Sequence, residues 1–420
     1  MDRFRIDGGH PLHGTVQING AKNAALPLLA TAILTDETVV LHHLPNLGDI
    51  RTMCRLLSHL GAEWRGGETI TVRLAGVERA EAPYEIVKTM RASTLVLGPL
   101  LARCGRARVS LPGGCAIGAR PMGLHLQALE RMGGRITIEN GYIVAEARRL
   151  RGIDYTFETV TVTGTENIMM AATLADGTTT LHNAAREPEI PDLAQCLTTM
   201  GAQIHGAGTS DITIQGVTRL RGVEHTIIPD RIVAGTFAIA TAMTGGDVTL
   251  QSMVPGHIEA LLEKLAAAGA KIFPMTDALR VVGPPRLEAV DCTTAPFPGF
   301  ATDLQAQFMA AMTIANGSSV INETVFENRF MHVGELQRMG ANIQVQGSTA
   351  VVKGVPRLRG APVMATDLRA SASLVLAGLT AEGSTEIERV YHIDRGYEQI
   401  ETRLGALGAT MTREHGDDGH

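Results

Sequence analysis

The chemistry legible in this chain starts at one thiol. Cys115 lies in Leu111-Pro112-Gly113-Gly114-Cys115-Ala116-Ile117-Gly118-Ala119-Arg120-Pro121, where three glycines surround a single sulfur. That composition describes a mobile, close-approach loop rather than packed core. Arg120 follows five residues on, and nearby cations depress a thiol pKa from its free value of about 8.5. A thiol titrating near neutrality can donate a proton or act as a nucleophile. The other four cysteines, Cys54, Cys104, Cys196 and Cys292, are expected to be inert buried fillers.

A second group is cationic. Lys22, Arg91 and Arg369 stand at the starts of apolar helical patterns. A cation there opposes the helix macrodipole, so a bound polyanion explains it better. Polar residues at matching places are Asn23, Thr165-Glu166-Asn167, Asp230-Arg231, Thr302-Asp303 and Asp367. For the Thr and Asp members, N-capping is the simpler reading. No Gly-Lys pair, GxGxxG or HExxH occurs, so phosphate binding would use helix ends with Lys and Arg. No ligand cluster for a metal is visible, and none is expected.

These residues sit on a repeat. A Met/Leu-Gly-Ala/Gly tag (Ala268-Gly269-Ala270 in the fourth copy) ends a helical pattern at Gly61, Gly133, Gly201, Gly269, Gly340 and Gly408, at spacings of 72, 68, 68, 71 and 68 residues. Six units of about seventy residues fill the 420 positions. Each reads as an apolar helix, a β-branched strand, an amphipathic helix and further strand. The first helices are expected to begin near Lys22, Arg91, Glu166, Arg231, Thr302 and Asp367. Stretches such as Leu95-Val96-Leu97-Gly98-Pro99-Leu100-Leu101 are apolar on nearly every side and must be buried. The expected plan is helices enclosed by sheets, three units per domain, with a joint near Pro229-Asp230. Parallel buried helices would present their N-termini at one end of each domain. Two facing domains would then form a cleft rich in anion sites.

Composition sets the outer limits. Hydrophobic residues make up 45% and net charge is −6, an ordinary globular balance that argues against a nucleic-acid partner. Five lysines against thirty-two arginines read as codon bias. Five scattered cysteines without CxxC fit reduced thiols in a cytoplasm. The start carries Asp2, Arg3 and Arg5 with no apolar run after them, and no stretch reaches the roughly twenty residues that span a bilayer. A cytoplasmic protein without membrane insertion is expected; oligomeric state is not legible.

Several segments together carry a resemblance. They are Asn19-Gly20-Ala21-Lys22-Asn23-Ala24-Ala25, the Cys115–Arg120 loop, Thr165-Glu166-Asn167-Ile168-Met169-Met170 and Arg186-Glu187-Pro188-Glu189-Ile190. Further along come Asp303-Leu304-Gln305-Ala306-Gln307, Phe326-Glu327-Asn328-Arg329-Phe330-Met331-His332, Ala365–Ser371 and Tyr391–Glu398. In these the chain resembles the UDP-N-acetylglucosamine enolpyruvyl transferases along its whole length. The resemblance implies an α/β fold of two inside-out α/β barrels built from six βαβ-type repeats. The domains it implies are 22–229, and 1–21 with 230–413, leaving 414–420 as a flexible tail. The implied reaction moves enolpyruvyl from phosphoenolpyruvate to the 3′-hydroxyl of UDP-N-acetylglucosamine and releases phosphate, the first committed step of peptidoglycan synthesis. The implied partners are these two small molecules.

By the same resemblance, Cys115 is a general acid that can form a covalent pyruvate adduct and is alkylated by fosfomycin; no other cofactor is implied. Asp303 faces the sugar 3′-hydroxyl, although N-capping remains open for it. Lys22, Arg120 and Arg395 hold phosphoenolpyruvate, Asn23 donates near the reacting centre, and Arg91 and Arg369 complete the positive pocket. The nucleotide sugar is contacted by Asn23, Arg91, Arg120, Pro121, Met122, Gly123 and Leu124, and further on by Thr161, Val162, Thr163, Gly164, Asp303 and Val325. Residues 161–164 read Thr-Val-Thr-Gly where relatives often carry a Ser-Val-Gly turn. Domain closure with the Cys115 loop folding over the cleft is expected on sugar binding. The aromatic-pathway transferase that uses shikimate 3-phosphate shares the six-unit design but lacks the Cys115 loop. A non-catalytic nucleotide-sugar sensor would be expected to lose Cys115, Lys22 or Arg395.

Overall fold

A computed structural model describes residues 2–111 and 123–415, without the side chain of Arg91. The six tagged glycines share one local geometry. At Gly61, the helix Gly48–Leu60 ends with φ of 105°, a left-handed conformation that only glycine adopts at little cost. The Gly61 N–H donates to Ser58 and the Ala62 N–H to Leu57, satisfying the last carbonyls of the helix in a Schellman motif. Gly133, Gly201, Gly269, Gly340 and Gly408 have φ between 96° and 109° and repeat both bonds. The sequence tag is therefore a helix stop, used six times.

The chain divides into two compact units, residues 20–111 with 123–228, and residues 2–19 with 229–415. The first contains three four-stranded sheets. In the sheet built on Thr178–His182, the strand Asp154–Thr156 runs parallel beside it, and Ile212–Gln215 and Gln203–His205 complete it antiparallel. The helix Val162–Ala172 makes the parallel crossover and is buried from Gly164 onward. The Thr38–His42 sheet follows the same plan, but its parallel partner, Val223–Thr226, comes from the end of the unit. The helix Lys22–Ala30 is buried except at Asn23. Outer helices such as Gly48–Leu60 bury one face only.

The second unit repeats the design with a different seam. The strand His13–Gln17 runs parallel to Asp247–Gln251. Arg3–Asp7 inserts antiparallel between Ser384–Glu388 and Thr410–Glu414. The helices Arg231–Met243, Gln305–Met312 and Leu368–Thr380 are almost wholly buried, as their unbroken apolar surfaces require. Each unit has its own apolar core.

Three expectations need correction. The third repeat's first helix begins at Val162, not near Glu166, because Thr161 caps it: its side chain accepts from the Gly164 N–H at 3.2 Å. Residues 161–164 are thus a capped first helical turn. The second repeat's helix does not run unbroken from Arg91; a 3₁₀ segment Arg91–Val96 precedes the helix Leu97–Cys104. Glu414 is not tail: Thr410–Glu414 is a strand, and Arg3 Nε donates to Glu414 at 2.7 Å. Residues 416–420 lie outside the described residues. Among the described residues, no helix is long and apolar enough to cross a membrane.

Candidate active site

In the second unit, the N-terminal ends of the buried helices converge on one polar cluster. Asp303 lies in the 3₁₀ segment Thr302–Leu304, ahead of the helix Gln305–Met312. Its side chain caps nothing, which removes the N-cap reading. Instead, Oδ1 accepts from Arg329 at 2.6 Å and Oδ2 from Arg369 at 2.9 Å. Arg369 is the second residue of the helix Leu368–Thr380, whose cap is Asp367, accepting from the backbone N–H groups of Arg369 and Ala370. An Arg369 Nη1–H also reaches the Tyr397 hydroxyl at 3.4 Å. That hydroxyl lies 2.9 Å from Thr236 Oγ1, and Gln307 Nε2 donates to both.

Charge in this cluster is strongly held. Burial alone would raise the Asp303 carboxyl, but the Arg369 and Arg329 guanidiniums outweigh it and hold it well below the usual carboxylate range. Burial opposes the charge on Arg369, yet Asp303 keeps its pKa raised. His332, wholly enclosed nearby, is pushed down to about 4 by burial and is neutral.

Arg395 ends the 3₁₀ segment Val390–Arg395 and is half-buried. The segment is pinned by its neighbour Asp394, which accepts from both Nη atoms of Arg413 at 3.0 and 2.6 Å. Arg413 also donates to Glu401 at 2.7 Å. Val325 is 37% exposed while its N–H donates to Glu323 at 2.9 Å.

In the first unit, Lys22 is the first residue of its helix and is buried, with Nζ 3.2 Å from Asp49 Oδ2. Asp49, in the first turn of its own helix, offsets a cation that the Lys22 helix would otherwise disfavour. Asn23 is half-buried beside it. Arg91 opens its 3₁₀ segment. Asn167 ties that region to the third helix: its Oδ1 accepts from Gly98 N at 2.6 Å and its Nδ2 donates to Thr94 O at 3.0 Å. A Cβ on Gly98 would fall 2.4 Å from the Asn167 carbonyl, so only glycine permits this approach. Glu166 is buried and its pKa is raised well above the ordinary value, by burial first and then by Glu189 and Glu187.

Thr161 is the cap already described; Val162 and Gly164 follow within the first turn, with Thr163 exposed. Gly123 and Leu124 open the helix Gly123–Arg131. Cys115, Arg120, Pro121 and Met122 lie outside the described residues. Of the remaining thiols, Cys54 is pushed up to about 11, and Cys196 and Cys292 to about 12, all by burial. Cys104 is only half-buried, so the filler description holds for three of the four. Among the described residues, no three His, Cys, Asp or Glu groups converge as a metal site.

Sequence reasoning missed Arg329, Glu323, Tyr397 and Asp49 as members of these clusters, and read Thr302 as a cap rather than as a partner of Arg329 and Glu323. Arg329 lies within the Phe326–His332 segment, but nothing local marks it as the partner of Asp303, twenty-six residues away.

The sequence model of the EPSP synthase (3-phosphoshikimate 1-carboxyvinyltransferase) family matches residues 6–404. A UDP-N-acetylglucosamine 1-carboxyvinyltransferase from an Anaeromyxobacter species is 60% identical over 99% of this chain and 100% of its own. One from Magnetococcus marinus is 58% identical over 98% and 99%. The chain belongs to the UDP-N-acetylglucosamine 1-carboxyvinyltransferase family. Among solved structures, the enolpyruvyl transferase NikO from Streptomyces tendae superposes with a TM-score of 0.88 at 25% identity, covering 98% of each chain. EPSP synthase from Acinetobacter baumannii gives 0.77 at 18% identity, over 99% of this chain and 100% of its own, a likeness of fold. The carboxyvinyltransferase family thus accounts for the whole chain, and the two inside-out units are the fold its relatives share.

Proposed function

We propose that this protein transfers the enolpyruvyl group of phosphoenolpyruvate to the 3′-hydroxyl of UDP-N-acetylglucosamine, releasing phosphate in the first committed step of peptidoglycan synthesis. Within the family just established, the observation that carries the reading is the Asp303 carboxylate, held ionised by Arg329 and Arg369 at the end of a buried helix. An acceptor fixed in that way can align a sugar hydroxyl and take its proton as the new C–O bond forms.

The steps balance without electron transfer. The 3′-oxygen bonds to C2 of phosphoenolpyruvate, its proton passes to Asp303, and C3 gains a proton to become a methyl group. Cys115 is the proposed donor of that proton. In the second step a methyl proton is lost, the C2–C3 double bond re-forms and the C2–O–phosphate bond breaks. Lys22, Arg120 and Arg395 are proposed to hold the phosphate and carboxylate charges, where fixed cations contribute most. Asn23, Arg91 and Arg369 support them. Residues 121–124, 161–164 and Val325 are proposed contacts to the nucleotide sugar. No redox or organic cofactor is needed, and a pyruvate adduct on Cys115 is a side branch of the same chemistry.

The test is phosphate release from phosphoenolpyruvate with and without UDP-N-acetylglucosamine, for wild type and Cys115→Ser. Sugar-dependent release in the wild type, lost in the variant, is expected. Release that ignores the sugar nucleotide overturns the reading.

A further inference from the structure

Behind Asp303 stands a second carboxylate that the reaction as drawn does not use. Glu323 is 3% exposed and follows the strand Ser318–Asn322. It forms no ion pair among the described residues, yet it receives four hydrogen bonds. Oε1 accepts from Thr294 Oγ1 at 2.9 Å, Val325 N at 2.9 Å and Phe326 N at 3.1 Å; Oε2 accepts from Thr302 Oγ1 at 2.9 Å.

The direction of these bonds is forced. Thr302 Oγ1 also lies 2.9 Å from Arg329 Nη1, and a guanidinium can only donate. The single Thr302 hydroxyl proton must therefore point to Glu323. Thr294 is set likewise, because its oxygen accepts from Thr324 N at 2.9 Å. The result is a one-way chain from the Arg329 N–H through the Thr302 hydroxyl to the Glu323 carboxylate. Arg329 is 6% exposed and bridges two carboxylates, one directly and one through a hydroxyl.

We propose that Glu323 is a positioning residue for the transfer. With one oxygen it orients Thr302, and through it the guanidinium that sets Asp303. With the other it fixes the backbone at Val325. It thereby locks the turn carrying the proton acceptor to the loop carrying a sugar contact. This rests on the reading in which Asp303 and Val325 meet UDP-N-acetylglucosamine. A glutamine of the same shape cannot substitute: its one oxygen must face three donors, which turns its amide N–H toward Thr302 and reverses the required polarity.

The test is a double-mutant cycle on the full-length enzyme with Glu323→Gln and Thr302→Val, read as kcat/KM for UDP-N-acetylglucosamine, with Thr302→Ser as the conservative variant. Expected are losses of about tenfold or more in each single variant, and a double variant little worse than Glu323→Gln alone, since coupled residues do not add. Thr302→Ser, which keeps the hydroxyl, is expected to recover most of the rate lost in Thr302→Val. Additive losses, or a serine as impaired as the valine, overturn the inference. Should Glu323→Gln fail to fold, the Thr302 pair still decides. Wild-type enzyme without sugar-dependent phosphate release overturns the proposed function and this inference with it; active wild type with unimpaired variants overturns the inference alone.

Discussion

Asp303 and Arg329 are joined by a 2.6 Å hydrogen bond, with the guanidinium almost wholly enclosed and the carboxylate side chain one-quarter exposed. The proposed proton acceptor is thus already paired within the protein, and its open face is the remaining quarter. A carboxylate so held is a weak base at rest. In the proposed reaction it would serve by orienting the hydroxyl and receiving a proton late, as C–O bond formation makes that proton acidic.

Replacing Asp303 with Asn keeps the shape but removes the acceptor charge. We expect kcat to fall by about 10² or more, the usual scale for a lost general base. Steady-state phosphate release measures it; turnover within a factor of a few of wild type would remove Asp303 from the proton path.

The same pair sets a pH dependence of stability. The folded pKa of Asp303 is depressed, so its stabilising contribution is complete above the unfolded value of about 3.9 and fades as pH falls through the folded value. Asp303→Asn should therefore be destabilised by a similar amount at pH 7 and pH 5, of order 3–5 kcal/mol for a largely buried pair. Denaturant titrations at both pH values check this. A penalty that vanishes by pH 5 contradicts the depressed pKa.

Much of the fold was legible because its markers are local. The glycine stop needs only its own helix, so six tags gave six units. Burial of the first helices followed from their apolar surfaces. What failed was the meaning of individual polar residues. Glu166-Asn167 looked like a helix start, but Asn167 turns inward to hold Gly98 and Thr94, and the cap is Thr161, a full turn earlier. Asp303 was compatible with a cap until its partners appeared. Arg329, Thr302 and Glu323 act through one another across separations of twenty-one to twenty-seven residues, and no periodicity encodes that.

Thiol reactivity offers a direct reading of the cysteines. Cys54, Cys196 and Cys292 are buried with pKa values pushed up to between about 11 and about 12, so their thiolate fraction at pH 8 is negligible. Brief alkylation of the native protein at pH 8, followed by peptide mapping, should leave these three unmodified and label Cys115, with Cys104 slower. Fosfomycin should modify Cys115 alone, and Cys115→Asp should retain turnover while escaping inhibition. Early labelling of Cys196 or Cys292, or inhibition that persists in Cys115→Asp, would contradict this assignment.

The repeat also exposes an inconsistency that engineering can correct. Thr179 and Thr385 occupy the place in their strands that Val39 and Val248 hold in sister units, are wholly buried, and have hydroxyls without a partner among the described residues. An unsatisfied buried hydroxyl costs about 1–3 kcal/mol. Thr179→Val and Thr385→Val should each stabilise their own unit by about 1 kcal/mol, raising its midpoint by about 2–4 °C. Calorimetry of the single and double variants tests both; a lowered midpoint would show that the hydroxyls are satisfied after all.

The strand Arg3–Asp7, clasped by Ser384–Glu388 and Thr410–Glu414, has a consequence for biogenesis. Phe4 and Ile6, fully enclosed in the folded protein, are translated well before either of the strands that flank them. At about 5–20 residues per second, the wait is of order 20–80 s. The unit spanning 20–228 carries all its own strands and can close while synthesis continues. Its companion cannot, so the nascent chain carries an unmatched greasy strand until Ser384–Glu388 and Thr410–Glu414 have both emerged.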